Sequence, residues 1–243
     1  MKISKLSRLY IKQPLNENKS LVLSTEHLHY LQNVMRLKAG RKFRVFNEAD
    51  GEFIAVIDKF EKKEAMANIL QLIREPIIET PLTLAISIIK PDKMFDAINM
   101  AVQIGVTEII PIIAERSQSQ TINSERLAKI ITEAAEQSER LSVPKYRKPI
   151  RLTEFISSPG FDMIIYASEA EDKLNLIHNL KSFPAKLAYL VGPEGGFSET
   201  ELKALELSRA AHSVSLGSNI LRAETAVAAG LAQIMLMRAK CRI

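Results

Sequence analysis

The stretch that most constrains the fold is residues 186–231, where two short strand-like segments each run into a glycine-containing loop and then a helix-forming segment. Residues 186–191 (KLAYLV) are mostly apolar, as in a parallel strand that is covered on both faces. GPEGG at 192–196 interrupts this strand. Ser198 and Glu201 then have the spacing of a capping box, which predicts that a helix begins there.

A second unit of the same kind follows directly. Residues 212–216 (HSVSL) predict another strand, Gly217 and Asn219 interrupt it, and residues 222–237, rich in Ala, Leu and Met, predict a long helix. A right-handed crossover would place the two strands parallel in one sheet. Both loops are then expected at the carboxyl edge of the sheet, where open α/β sheets bind ligands.

The two loops contain the groups that a cofactor site needs. Residues 192–197 present many backbone N–H and C=O groups, and their glycines allow a ligand to approach the backbone closely. Such a loop can recognise a flat heterocycle such as adenine, although GPEGG alone is equally well read as a tight turn. An arginine at a helix amino terminus opposes the helix dipole, so Arg222 is expected to serve a contact rather than helix stability.

Composition sets the broad class of the protein. The chain has 243 residues and a single cysteine, Cys241, which excludes an intrachain disulfide and a cysteine-based metal cluster and fits a reducing compartment. The four histidines are scattered, so no metal site is predicted. MKISKLSRLY at the start lacks the apolar run of a signal peptide, and no stretch has the length of a membrane span. We therefore expect a cytoplasmic protein without a membrane partner.

Positive charge is concentrated in the first third of the chain. Residues 1–74 contain 14 Lys and Arg against 8 Asp and Glu, whereas residues 75–243 contain 19 against 20. A basic module beside a near-neutral one predicts a nucleic-acid-docking domain attached to a chemistry domain. The alternative is a moderately basic solvated surface.

The first 74 residues predict a small, partly closed β-barrel. A helix with an apolar face is expected at residues 25–37, ended at Gly40. Residues 41–46 alternate basic and apolar side chains, so Arg41 and Arg44, together with Arg36, would give the barrel a basic side. The predicted strands are residues 6–11, 20–23, 41–46, 52–60 and 65–73.

The remaining residues predict a parallel α/β domain. Pro76 and Pro81 bracket a short segment, so we predict domains at 1–74 and 82–243 with a linker at 75–81. The predicted elements are strands at 82–89, 107–113 and 162–167, and helices at 94–104 (closed by Gly105), 125–141 (capped by Asn123 or Ser124) and 172–180.

Two long motifs carry a resemblance to a known family. GPEGGFSETE followed by LGSNILRAETA resembles the signature of the 16S rRNA (uracil(1498)-N(3))-methyltransferase family, of the SPOUT class. The resemblance implies an α/β fold with a SPOUT-type trefoil knot domain preceded by a small PUA-like β-barrel domain. It also implies S-adenosylmethionine (S-adenosyl-L-methionine) as cofactor and a homodimer. Neither composition nor periodicity indicates the knot.

Site residues follow from the two loops and the chemistry of this reaction. Methylation at uridine N3 requires loss of the N3 proton, so we hypothesise that Arg222 stabilises the resulting negative charge. Glu194 or Glu224 would be the base or orienting group, although Glu224 also suits a helix dipole. The residues expected around the cofactor are Leu190, Val191, Gly192, Gly196, Leu216, Gly217, Ile220, Leu221 and Thr225.

Further motifs imply contacts with RNA. HYLQNVMRL matches the family's PUA-like segment, and Arg116-Ser117 with EAAEQSER, followed by Pro144, matches segments that line the family's RNA-facing cleft. The implied partner is 16S rRNA or the small ribosomal subunit. Met100 and Gln103 depart from the Gln-Lys and Glu-Leu-Gly pattern that the family carries in the helix at 94–104. The candidate RNA-binding residues are His29, Arg36, Arg41, Arg44, Arg116, Gln137 and Arg140.

Two other functions stay open at this point. One is another SPOUT enzyme that methylates tRNA or a ribose 2′-hydroxyl. The other is a non-catalytic RNA-binding assembly factor, against which the intact LRAETA segment argues, because a protein that only binds RNA has no need of a cofactor loop.

Overall fold

Two β-sheets organise the hydrophobic cores of the chain. The computed structural model describes residues 3–117, 122–157, 160–168 and 184–240. The chain divides into a first unit, residues 1–78 with 135–143, and a second unit, residues 79–134 with 144–243. The segment 135–143 thus lies with the amino-terminal residues, which sequence order alone did not indicate.

The first unit is built on a five-stranded sheet, in the order β1-β3-β4-β5-β2. β1 is parallel to β3 and the remaining pairs are antiparallel. Buried apolar side chains from every strand form its core, and the five strands predicted from the sequence are confirmed. The strands are β1 (Arg8–Tyr10), β2 (Ser20–Leu23), β3 (Lys42–Asn47), β4 (Gly51–Phe60) and β5 (Ala65–Arg74).

The helix predicted at residues 25–37 is wrong in its length. α1 covers Thr25–His29 and continues as a π-helical turn over Tyr30–Val34, in which the Met35 N–H donates to the Tyr30 carbonyl at 3.0 Å. Arg36 then takes a left-handed conformation, φ +52°, so the helical path ends before Gly40. The wider turn leaves Val34 exposed although its spacing placed it on the apolar face.

The second unit is built on an all-parallel sheet in the order β12-β10-β11-β6-β7-β8, with β9 also paired to β7. Every residue of β6 and β11 is buried, as expected for central strands covered on both faces. The α/β class is therefore confirmed. The strands are β6 (Thr83–Ser87), β7 (Glu108–Ile113), β8 (Lys145–Tyr146), β9 (Ile150–Arg151), β10 (Met163–Ala167), β11 (Leu187–Val191) and β12 (Ala211–Val214).

Local signals explain where the helices of this unit begin and end. Pro91 occupies the first turn of α2, and Gly105 ends it at φ +117°. Asn123 caps α3, since its side chain accepts the Arg126 N–H at 2.9 Å. The Ser198 and Glu201 capping box opens α5 as predicted. The helices are α2 (Pro91–Ile104), α3 (Ser124–Gln137), α4 (Leu152–Ser157), α5 (Glu199–Leu207) and α6 (Ala223–Lys240).

The helix predicted at residues 125–141 is too long. α3 ends at Gln137, and Glu139 takes a left-handed conformation, φ +58°, while the Arg140 N–H donates to the Ala135 carbonyl at 3.1 Å. The predicted helix at 172–180 and Cys241 lie outside the described residues.

Candidate functional site

The two loops singled out by the sequence border one cavity in the second unit. β11 and β12 both run parallel to β10, so their carboxyl ends meet at one edge of the sheet. The cavity there has a volume of about 560 Å³, which is in the range of small-molecule sites. Ala167 and Ser168, at the end of β10, also line it.

Most of the residues predicted for cofactor binding or catalysis line this cavity, and three do not. Leu190 is fully buried in the core beneath the loop. Thr225 and Glu224, on the first turn of α6, are not among the described residues that line the cavity. The predicted residues that do line it are Val191, Gly192, Glu194, Gly196, Leu216, Gly217, Ile220, Leu221 and Arg222.

Two glycines in the loops keep the cavity open. Gly196 has φ +70° and Gly217 has φ +129°, and a Cβ placed on either would meet no heavy atom within 4 Å. A side chain at these positions would be strained and would project into open space. The backbone of both loops is therefore accessible to a ligand, and it supplies the N–H and C=O groups that a purine edge can bond.

The candidate catalytic residues occupy different positions around the cavity. Arg222 is exposed, lines the cavity and immediately precedes α6. Glu194 is exposed and also lines the cavity. Glu224 is mostly covered, and its carboxylate lies 3.4 Å from Lys93 Nζ on the first turn of α2. The structure thus brings Arg222 and Glu194 together at one cavity and directs Glu224 to a partner on another helix.

Sequence reasoning missed several residues of the cavity wall. Phe197 and Leu202 line it, and the Phe197 ring lies 3.0 Å from where a Cβ on Gly192 would be. Ala223 and Ala226 supply small side chains from α6. These residues are apolar and lie in or next to the signature motifs. An apolar residue there can equally belong to the hydrophobic core, so the sequence alone could not assign them to the cavity wall.

A buried tyrosine fixes α6 against β11 beneath the cavity. The Tyr189 hydroxyl donates to the Ala226 carbonyl at 2.8 Å, and burial raises the pKa of Tyr189 above its ordinary value. A Cβ on Gly230 would overlap the Tyr189 ring. This glycine is required by close packing, and it sets the distance between the helix that follows Arg222 and the strand that precedes Glu194.

Arg116, one of the candidate RNA-binding residues, lines the cavity. Its Nη1 donates to the Gly195 carbonyl at 2.8 Å. The loop that follows β7 is also held by Glu201, whose Oε1 accepts the Glu115 N–H at 2.8 Å. The Arg116 loop is thus joined by one hydrogen bond to the glycine-containing loop and by another to the first turn of α5, directly after that loop.

In the first unit, the candidate RNA-binding residues divide by exposure. His29, Arg36, Arg41 and Gln137 are exposed. Arg44 is only 4% exposed and Arg140 only 9%. Arg44 bonds Glu139 at 2.9 Å and lies 3.5 Å from Glu52. With so little of either side chain at the surface, Arg44 and Arg140 are weaker candidates for RNA contact than the exposed residues.

Sequence reasoning also missed the ion cluster at the centre of this unit. Glu52 is fully buried, and its carboxylate lies 2.6 Å from Arg8 Nε and 3.2 Å from Arg74 Nη1. Arg8 also donates to the carbonyls of Ala135, Glu136 and Arg140, and its guanidinium lies 4.0 Å from the centroid of the Phe46 ring. Arg8 thereby attaches the segment 135–143 to the sheet.

Neither a metal centre nor a membrane-spanning helix is found in the described part of the chain. No group of three or more His, Cys, Asp and Glu side chains there has the arrangement of a metal centre. None of the helices in the described ranges is long and apolar enough to cross a membrane.

Comparison with known proteins identifies relatives along the whole chain. Residues 77–235 match the RNA methyltransferase domain family, and residues 23–70 match the RNA methyltransferase PUA domain family. The ribosomal RNA small subunit methyltransferase E of Rickettsia conorii is 41% identical over 240 residues, which cover 98% of each chain. Its namesake from a Synechocystis species is 31% identical over 222 residues, 88% of this chain and 72% of the relative.

Solved structures agree in fold. A Legionella pneumophila methyltransferase in complex with bound SAM superposes with a TM-score of 0.86 at 28% identity, covering 97% of this chain and 98% of that one. The ribosomal RNA small subunit methyltransferase E of Neisseria gonorrhoeae, bound to S-adenosyl methionine, gives a TM-score of 0.84 at 27% identity, covering 96% and 98%. The chain belongs to the ribosomal RNA small subunit methyltransferase E family.

Proposed function

We propose that this protein methylates N3 of one uridine of 16S rRNA, the nucleotide 1498 of the family's name, with S-adenosylmethionine as methyl donor. Membership of the family supports methylation of small-subunit rRNA. The N3 position rests on the resemblance of the two signature loops. The observation that carries the proposal is the cavity at the carboxyl ends of β10, β11 and β12, which is lined by both loops and by an exposed arginine.

The residues of the cavity fit S-adenosylmethionine. Its adenine would lie among apolar side chains of the second loop, with Leu216, Ile220 and Leu221 as the candidates, and its polar edge would face loop backbone. Gly196 and Gly217 leave the space that close backbone approach requires. When bound, the sulfonium supplies an already activated methyl group.

The protein's own part is to align the uridine and to handle one proton. As the N3 proton leaves, negative charge spreads to O2 and O4 of the base. Arg222 is exposed at the cavity, so its guanidinium is available to stabilise that charge. Glu194 is better placed than Glu224 to accept or orient the proton, because Glu194 is among the residues that line the cavity and Glu224 is not.

RNA binding is proposed for exposed residues of both units. In the first unit, Arg36 and Arg41 are candidates for backbone contacts, since exposed cationic side chains position a protein on phosphates, and the exposed His29 is a candidate hydrogen-bonding group. Two further candidates lie within the segments that match the family's RNA-facing motifs. They are Arg116, at the cavity of the second unit, and Gln137, at the end of α3.

Three further properties are carried over from the resemblance as proposals. The second unit would contain the trefoil knot of the SPOUT class. A homodimer would use α6, which leaves Met235 and Leu236 exposed. A substrate in the small ribosomal subunit agrees with the cytoplasmic location that the sequence predicts.

The test combines cofactor binding with methyl transfer. The wild-type protein should bind S-adenosylmethionine in calorimetry and transfer labelled methyl groups to small ribosomal subunits that lack the native modification. Gly196→Val should abolish both, because a branched side chain at φ +70° would enter the cavity. Gly40→Val is the matched control, since Gly40 has φ +79° and open space around it but lies in the first unit.

Each outcome of this test separates the proposal from its rivals. Cofactor binding with methyl transfer to tRNA instead would favour another SPOUT enzyme. No binding and no transfer by the wild-type protein would favour an assembly factor. Equal cofactor affinity in wild type and Gly196→Val would remove the first loop from the pocket.

A further inference from the structure

A buried carboxylate connects the loop that follows β7 to the amino terminus of α5, where the loop at 192–197 ends. Glu201, on the first turn of α5, is 5% exposed. Its Oε2 accepts the Ser198 N–H at 2.9 Å and thereby closes the capping box. Its Oε1 accepts the Glu115 N–H at 2.8 Å, from the loop that follows β7. A capping box needs only the first of these bonds, so the second indicates an additional task.

The same two loops are joined a second time near the solvent. Arg116, next to Glu115, donates from Nη1 to the Gly195 carbonyl at 2.8 Å. Its aliphatic stem packs there too, because a Cβ on Gly195 would lie 3.6 Å from Arg116 Cδ. The loop at 192–197 is therefore fixed at its carboxyl end by the Ser198–Glu201 pair and in its middle by Arg116.

We propose that Glu201 is a positioning residue for cofactor binding, which acts by holding the loop at 192–197 and the Arg116 segment in one arrangement. This inference rests on the proposed function of the cavity. When the loop is already ordered, cofactor binding does not have to supply the free energy of ordering it. The affinity of the protein for the cofactor is therefore higher. Glu201 is not among the described residues that line the cavity, so we expect it to act through the loop and not by direct contact with the cofactor.

The arrangement also links the cofactor to the RNA. A guanidinium has five N–H donors, so Arg116 can hold Gly195 and still offer donors to a phosphate. An RNA that orders Arg116 would then order the cofactor loop, and binding free energies coupled in this way are reciprocal. Cofactor affinity should therefore be higher in the presence of substrate RNA, and Glu201 should be required for the difference.

The first experiment compares Glu201→Gln with Glu199→Gln in the full chain. Both changes remove one negative charge from the first turn of α5, but Glu199 is exposed. A glutamine at 201 keeps one carbonyl oxygen and turns an NH2 group toward a backbone N–H, so it loses one of the two loop contacts. Calorimetry should show a Kd for S-adenosylmethionine raised about tenfold by Glu201→Gln, as for one hydrogen bond to a charged group, and unchanged by Glu199→Gln.

The stoichiometry of cofactor binding distinguishes a positioning role of Glu201 from a role in the stability of the fold alone. If Glu201 only supports the fold, Glu201→Gln will lower the fraction of protein that binds, with the Kd of that fraction as in the wild type. That result, or a wild-type Kd at full stoichiometry, would overturn the inference. Failure of the wild-type protein to bind the cofactor would instead refute the proposed function.

Arg116→Met is the second variant, because Arg116 is exposed and its replacement should not disturb folding. It removes the bond to Gly195 while leaving Glu201 in place, and it too should weaken cofactor binding. The double variant should show a smaller fold-change than the product of the two single ones, since both contacts hold the same loop. Strictly multiplicative effects would refute the link between the Arg116 segment and Glu201.

Discussion

Replacing Glu52 by glutamine should destabilise the first unit severely. Its carboxylate is fully buried and faces Arg8 at 2.6 Å, Arg74 at 3.2 Å and Arg44 at 3.5 Å. The side chains of Arg8 and Arg44 are themselves almost completely covered. Glutamine has nearly the same shape but no charge, so the substitution removes the carboxylate that faces two buried guanidinium groups, and Arg44 keeps its pairing with the partly exposed Glu139.

The size of the effect follows from burial. Removal of one partner from a buried ion pair costs about 3–5 kcal/mol, because it leaves an uncompensated charge in a medium that solvates it poorly. For a unit of this size, that cost corresponds to a fall in melting temperature of roughly 12 °C or more. Glu61→Gln is the matched control, since Lys59 and Glu61 are also 2.6 Å apart but 55% and 43% exposed. It should leave the melting temperature unchanged.

Calorimetry of the full chain is the assay, supported by amide hydrogen exchange because the two units need not unfold together. The Tyr10 N–H, which donates to Glu136 at 2.9 Å, should lose protection in Glu52→Gln. This amide reports directly on the attachment of the segment 135–143 to β1. A variant that melts as the wild type does, with Tyr10 still protected, would refute the view that the buried ion cluster holds this unit together.

Three other changes test separate parts of the account. Arg222→Ala should lower kcat for methyl transfer about 10²–10³-fold, as for loss of an oxyanion donor, with cofactor affinity unchanged; near-wild-type turnover would exclude the proposed role. Gly230→Ala should lower the melting temperature although alanine favours helices, because its Cβ would overlap the Tyr189 ring; a stabilised variant would show that α6 can shift. The hydrogen bond from Arg44 holds the pKa of Glu139 below its ordinary value of 4.5. This contribution to stability is complete above that value and is lost as the pH falls through the lowered pKa. Glu139→Gln should therefore flatten the acid side of a profile of melting temperature against pH. An unchanged profile would contradict a stabilising role for the Arg44–Glu139 pair.

Much of the second unit could be predicted because its signals are local. The capping box of Ser198 and Glu201, the left-handed Gly105 and the apolar run of β11 each fix an element boundary from a few neighbouring residues. Parallel strands of one sheet then require both signature loops to meet at one edge. The cavity was predictable for this reason, although Leu190, Glu224 and Thr225 fall outside its wall.

The failures share a different physical cause. The π-helical turn at Tyr30–Val34 and the left-handed Glu139 are conformations that no helix propensity indicates, since tertiary contacts select them. Arg44 stands in a strand with alternating basic and apolar residues, so it was expected at the surface. It is buried because Glu52 and Glu139 approach from other parts of the chain, and such pairing cannot be read from a single segment.

The central claim is most directly tested by identifying the nucleoside that the protein modifies. Small ribosomal subunits lacking the native modification should be incubated with the wild-type protein and S-adenosylmethionine, digested to nucleosides and analysed by mass spectrometry, with Arg222→Ala as the parallel reaction. The account predicts 3-methyluridine from the wild-type reaction and little or none from the variant. A methylated product of another kind, such as a 2′-O-methyl nucleoside, or a wild-type reaction without product, would contradict it.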